Sequence, residues 1–211
     1  MWLALQINIW VVLISLGSYQ LYMLLSRRKM KPFSEGFTKH LQYLIGIPTL
    51  ALLIVSLFDP GAREFGFISV APELIIVGAF VFNLAALMLL WAHLSLGEFW
   101  TCDLGTRSDH HLVESGLYRW IRHPLYTSFF LIAVGFLFMT GDWLIAALMF
   151  AHCWAVAARA PKEEEMLLSR LGQSYASYLR RTGRFLPRLR YSPGRSNGPI
   201  SPIYLPSKDR V

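Results

Sequence analysis

The chain has 211 residues, 55% of them hydrophobic and 16% charged, with a net charge of +7. A soluble domain averages about 45–50% apolar residues, so this balance points to the bilayer as solvent. The basic surplus would raise nucleic acid as a partner in a soluble protein, but here membrane topology accounts for it, and no nucleic acid is expected. Cys102 and Cys153 lie in unrelated contexts, without metal-type spacing or a disulfide framework, and no metal is expected.

Residues 3–25 contain no Asp, Glu, Lys or Arg, and about 20 such residues span the ~30 Å hydrocarbon layer as a helix. No basic residue precedes this run and no small-residue cleavage site follows it, so it is expected to be a retained anchor and not a signal peptide. It ends at Arg27, Arg28, Lys29 and Lys31, where Pro32 discourages further helix. A second helix is predicted over residues 41–58. The turn Asp59-Pro60-Gly61 follows, and Pro72 opens a third helix over 74–91. A polar stretch, 93–123, precedes Pro124 and a fourth helix over 125–139. Thr140-Gly141-Asp142 joins it tightly to a fifth, over 143–158, making an antiparallel hairpin whose polar ends extend past the hydrocarbon.

The expected fold is therefore all-α, a polytopic membrane protein of about five transmembrane helices. Residues 1–92 form helices 1–3, residues 93–190 a catalytic region and residues 191–211 a poorly ordered tail rich in Pro, Gly and Ser. Lys and Arg number 5 between helices 1 and 2, 3 between helices 3 and 4, and 11 after helix 5, against 1 between helices 2 and 3 and none in the hairpin turn. Basic loops stay in the cytoplasm, which sets the amino terminus outside and the carboxyl terminus inside.

Two clusters can carry chemistry. In the first, residues 110–126, Pro124 starts a helix whose N–H groups and macrodipole, with Arg122, suit a carboxylate or phosphate. The alternative is that Arg122 and His123 mark the membrane boundary by snorkelling. In the second, residues 162–178, Glu163, Glu164 and Glu165 suit either the first turn of a helix or a cationic ligand, and only one or two of them can face one ligand. Tyr175 and Tyr178 share a face and wall a pocket or lie in the interface belt. Arg180, Arg181 and Arg184 are expected to meet anionic lipid headgroups. His93, His152 and Asn83 are read as helix-packing groups.

The two clusters together resemble the isoprenylcysteine carboxyl methyltransferase family and its bacterial and phospholipid-methylating relatives. The first resembling stretch is His110, Leu112, Val113, Gly116, Tyr118, Arg122, His123, Pro124 and Tyr126. The second is Glu163, Glu164, Leu167, Gly172, Tyr175 and Tyr178, closing on Pro187, and Leu96-Gly97-Glu98-Phe99-Trp100-Thr101 is a further similar feature. The resemblance covers about residues 96–187. One departure is Ser128, where the family often has Gly.

The resemblance implies an S-adenosylmethionine-dependent methyltransferase acting on a lipophilic or small acceptor: a prenylcysteine carboxylate, a phospholipid amine or a thiol. It further implies membrane lipids as partners and a bacterial inner membrane or an endomembrane as location. Arg122 and Glu164 are the implied catalytic residues. Cofactor binding is implied for His110, Leu112, Val113, Gly116, Tyr118, Arg122, His123, Pro124, Tyr126, Glu163, Glu164 and Tyr175. Two alternatives remain open: an NADPH-dependent sterol-type membrane reductase, and a noncatalytic scaffold that binds anionic lipid.

Overall fold

A computed structural model of the chain describes residues 2–25, 31–32, 37–58, 66–97, 105–106 and 112–188. Among them the fold is helical: α1 (Trp2–Leu25), α2 (Phe37–Phe58), α3 (Pro72–Leu96), a 3-10 turn (Gly116–Arg119), α4 (Pro124–Thr140), α5 (Trp143–Ala157), α6 (Ala160–Leu171) and α7 (Gln173–Arg181). Lys31–Pro32 also pairs antiparallel with Gly105–Thr106 in a two-residue ladder that no sequence signal announces. The tail 191–211 lies outside the described residues.

Each of the five expected apolar segments is a helix. The predicted start of the polar stretch at His93 is corrected, since α3 continues to Leu96. His93 is buried in it, with Nδ1 2.9 Å from the Leu89 carbonyl, so the helix takes up one ring nitrogen and polarity does not end it. Two helical stretches, Pro72–Leu96 and Trp143–Leu171, are long and apolar enough to cross a membrane, and Leu3–Ser15, Tyr43–Phe58 and Pro124–Thr140 are shorter apolar runs.

α3 is apolar on every side, but its faces differ in size. Ile76, Phe80, Leu84, Leu87 and Trp91 recur at helical spacing and point outward, whereas Ala85, Ala86, Leu89 and Ala92 are buried. Small residues let α3 and α4 approach backbone to backbone. A Cβ on Gly135 would stand 2.5 Å from the Phe82 nitrogen, and one on Gly78 would stand 2.5 Å from the Met139 nitrogen. Ser128 is fully buried, and its hydroxyl donates to the Pro124 carbonyl at 2.8 Å, so the hydroxyl is absorbed within α4.

α1 joins this pair where Asn8 and Asn83 exchange amide hydrogen bonds of 3.1 and 3.2 Å, and it meets α2 where Gln6 donates to the Leu57 carbonyl at 2.7 Å. The α4–α5 turn is tight. Gly141 adopts φ 72°, and the Asp142 carboxylate accepts from the Ile145 amide at 2.9 Å as the cap of α5. Ile68 N and Trp143 N close on the Gly141 and Gly66 carbonyls, both at 2.8 Å, which fastens the turn to the chain entering α3.

Gly135→Val should lower the thermal unfolding midpoint in detergent, with about 1–3 kcal/mol lost to overpacking. Gly17, where an added Cβ would meet nothing within 4 Å, should accept Ala with little change.

Candidate functional site

The site is assembled where the chain leaving α7 returns to the chain entering α4. Thr182 ends α7 in extended conformation (φ −110°, ψ 151°), and Gly183 forms a parallel bridge with Ile121. Arg122 N donates to Gly183 O at 2.9 Å, His123 N to Arg184 O at 3.0 Å, and Gly183 N to Trp120 O at 3.2 Å. Thr127 Oγ1 donates to Phe185 O at 2.7 Å and the Tyr178 hydroxyl to Tyr118 O at 2.6 Å. Residues 182–185 are thus a strap laid along 120–123. The backbone N–H groups of Arg122 and His123 are taken up by this strap.

Side chains complete the junction. Arg122 Nε donates to Glu164 Oε1 at 2.8 Å, while its Nη1 reaches the carbonyls of Leu179, at 3.3 Å, and of Thr182. Arg184 grips the same carboxylate with two nitrogens, Nε to Oε1 at 3.1 Å and Nη2 to Oε2 at 2.5 Å. His123 lies between two acids, with Nε2 3.2 Å from Glu164 Oε1 and Nδ1 3.4 Å from Glu163 Oε2. The Tyr126 hydroxyl donates to Glu163 Oε1 at 2.5 Å, and the rings of Tyr126 and His123 stack with centroids 5.3 Å apart. Glu165 is exposed, so two of the three consecutive carboxylates turn inward.

Helix α6 carries these acids beyond the apolar part of α5, and charge sets in at Arg159. Burial works against ionising Glu164, but hydrogen bonds from His123, Arg184 and Arg122 outweigh it and hold its carboxyl well below the ordinary range. Glu163 is lowered likewise, against burial, by the hydrogen bond and charge of His123. For His123, burial disfavours the imidazolium, yet hydrogen bonds to Glu163 and Glu164 win and raise its pKa above 6.5.

Of the residues singled out in the sequence, Arg122, His123, Tyr126, Glu163 and Glu164 are in mutual contact, and the buried Tyr118, Tyr175 and Tyr178 pack around them. Arg122 and Glu164 close on each other directly. Leu112 and Val113 are half-buried in the loop before the 3-10 turn, and His110 lies outside the described residues, as do residues 98–101. Gly116 has φ 59°, and a Cβ there would stand 2.3 Å from Ser95 Oγ, so it seats the turn on the end of α3.

Arg181 and Arg184, expected to meet lipid headgroups, each have an acidic partner in the chain. Arg181 pairs with Glu114, and Arg184 with Glu164. Arg184 is therefore the site member that sequence reasoning misses. Its signal is its place inside the stretch that closes on Pro187.

The junction should show opposite pH dependences. Glu164 contributes stability above its ordinary 4.5 that is lost as pH falls through its lowered folded value. His123 contributes stability in full below 6.5, which is lost as pH rises through its raised folded value. The destabilisation caused by His123→Gln should be greatest below that pH and shrink as pH rises, read from thermal unfolding of both proteins between about pH 5.5 and pH 9. A gap independent of pH would show that the imidazolium is not the stabilising form.

The chain matches known proteins over this same region. Residues 75–169 match the sequence model of the isoprenylcysteine carboxyl methyltransferase (ICMT) family. A protein-S-isoprenylcysteine O-methyltransferase of Tribolium castaneum is 37% identical over 81 residues, which are 38% of this chain and 29% of that protein. The chain therefore matches under a third of that relative's length. A nickel-cobalt-cadmium resistance protein, NccN, of Alcaligenes xylosoxydans xylosoxydans is 28% identical over 160 residues, 75% of this chain and 70% of its own. Among solved structures, the eukaryotic intramembrane Ras methyltransferase ICMT superimposes with a TM-score of 0.50 at 25% identity, covering 74% of this chain and 54% of that one. The chain is thus similar to isoprenylcysteine carboxyl methyltransferases, and the matched segment is the one that builds α3, the hairpin and the paired acids of the junction.

Proposed function

We propose that the chain is an integral membrane methyltransferase that takes its methyl group from S-adenosylmethionine and passes it to a lipophilic acceptor at the cytoplasmic face. The observation that carries this reading is the contact of Arg122 with Glu164, 42 residues apart in sequence and 2.8 Å apart in space, inside the family-matched segment. α1 to α5 are read as the five spans, with the amino terminus outside; the distribution of Lys and Arg supports this orientation.

The donor is a zwitterion at its amino-acid end, and the junction offers adjacent cationic and anionic edges. Arg122 is held through Nε and Nη1, which leaves Nη2 without a partner among the described residues and suited to a carboxylate. Glu163 is the more open of the two acids, its side chain 20% exposed against 9% for Glu164, and suits an ammonium. The stacked pair His123 and Tyr126 and the buried Tyr118 offer flat surfaces to an adenine. When bound, the donor supplies an electrophilic methyl carbon on a sulfonium. The chain's part is to orient it and exclude water, so that catalysis is chiefly proximity and desolvation of the acceptor nucleophile. A carboxylate acceptor, as in the prenylcysteine methyltransferases that the chain resembles, needs no general base.

Binding of S-adenosylhomocysteine to detergent-purified protein tests the reading, followed by transfer of labelled methyl to a prenylcysteine, a phosphatidylethanolamine and a lipophilic thiol. A charge-assisted hydrogen bond is worth about 1.5–3 kcal/mol, so Arg122→Gln and Glu163→Gln should each weaken binding tenfold or more. Unaltered affinity in both variants, each still folded by its melting curve, would remove the assignment.

A further inference from the structure

Glu164 is already saturated. Its Oε1 accepts from Arg122, His123 and Arg184, and its Oε2 accepts from Arg184. Such a carboxylate has little capacity left for a ligand, and its geometric effect is to join two guanidinium groups. One of them, Arg122, is held at Nε by Glu164 and at Nη1 by the Leu179 and Thr182 carbonyls. The other, Arg184, closes the junction twice: its carbonyl accepts from His123 N at 3.0 Å, and its side chain clasps Glu164 from the water side. Its side chain is 43% exposed where the carboxylate is 9% exposed, so it covers an otherwise buried anion.

We infer that Arg184 is a positioning residue which, acting through Glu164, fixes the Arg122 guanidinium and holds the strap 182–185 against the donor site. The inference rests on the methyl-donor reading above and assigns to the strap a role in that site. Without Arg184, Glu164 Oε2 loses this donor and the carboxylate can turn about Oε1, which carries Arg122 with it. An ion pair whose arginine is this exposed adds little to global stability, so its loss should be felt in ligand geometry more than in folding.

The test measures S-adenosylhomocysteine affinity and melting temperature on the full chain in detergent for wild type, Arg184→Ala, Arg184→Lys, Glu164→Gln and the double variant Arg184→Ala/Glu164→Gln. Arg184→Ala should bind about five- to tenfold more weakly with its melting temperature within a few degrees of wild type. Lys, which keeps the charge but not the two-nitrogen grip, should recover part of the loss. The double variant should bind within about twofold of Glu164→Gln alone, because the two residues act as one unit.

The acid limit of binding should also move to higher pH in Arg184→Ala. Glu164, still faced by Arg122 and His123 from the segment before α4, by Tyr175 from α7 and by its neighbour Glu163, will have lost one stabilising cation. Wild-type-like affinity in Arg184→Ala, or losses that simply add in the double variant, overturns the inference while leaving the donor reading in place. Absence of binding in wild type overturns the donor reading, and the inference falls with it.

Discussion

The junction depends on one buried carboxylate. Glu164 lies almost out of water, and an ion so placed is tolerated only when its lost hydration is replaced by well-aligned partners. The partners come from two places far apart in sequence: Arg122 and His123 immediately before α4, and Arg184 after α7. The acid itself sits in the first turns of α6. Burying Glu164 therefore requires all three segments to arrive together, and removing Arg122, itself almost out of water, leaves charge uncompensated; breaking a buried pair of this kind costs about 3–5 kcal/mol.

Those segments arrive together because the apolar part of the chain leaves them little freedom. α3 and α4 touch through Gly78 and Gly135, and a contact at backbone distance fixes both spacing and rotation more closely than bulky side chains do. The 3-10 turn leans on Trp91 and Ser95 through Gly116, which anchors the approach to α4 on the end of α3. At the far end, Asp142 caps α5 and the turn is tied to residues 66–68, so the hairpin is held at its closed end. The acids of α6 then follow almost directly from α5, across only Ala158 and Arg159.

Much of this is legible in the sequence. Charge-free runs and proline starts mark the apolar helices, and the grouping of Arg122, His123 and Tyr126 with Glu163 and Glu164 is what the family resemblance of the two motifs implies. What escapes has a common physical origin. His93 reads as the start of a polar segment because composition does not reveal that a histidine can bond back to the carbonyl four residues earlier. Arg184 reads as another surface cation because its role depends on a strap whose path is set by a parallel bridge between Gly183 and Ile121, 62 positions apart by their numbering. The ladder of Lys31–Pro32 with Gly105–Thr106 is two residues long and carries no alternation. Local periodicity announces elements, whereas pairing between distant loops leaves no periodic trace.

The balance of charge in the junction also limits what it can hold. Arg122, Arg184 and a protonated His123 face Glu163 and Glu164, so cations outnumber carboxylates. The excess is not spread evenly. Glu164 is shared by all three cations, whereas Glu163 meets only His123 and the Tyr126 hydroxyl among the hydrogen bonds of the described residues, with Arg159 acting on it through space. One side of the junction is therefore anion-seeking at Arg122, and the other retains a carboxylate with coordination to spare. Arg181, by contrast, is exposed and paired with Glu114, where water screens it. Exposure thus separates Arg181, whose pairing water screens, from Arg122, whose pairing is largely shielded from water. On the methyl-donor proposal, this arrangement would receive the donor's zwitterionic end with one polarity, carboxylate toward Arg122 and ammonium toward Glu163.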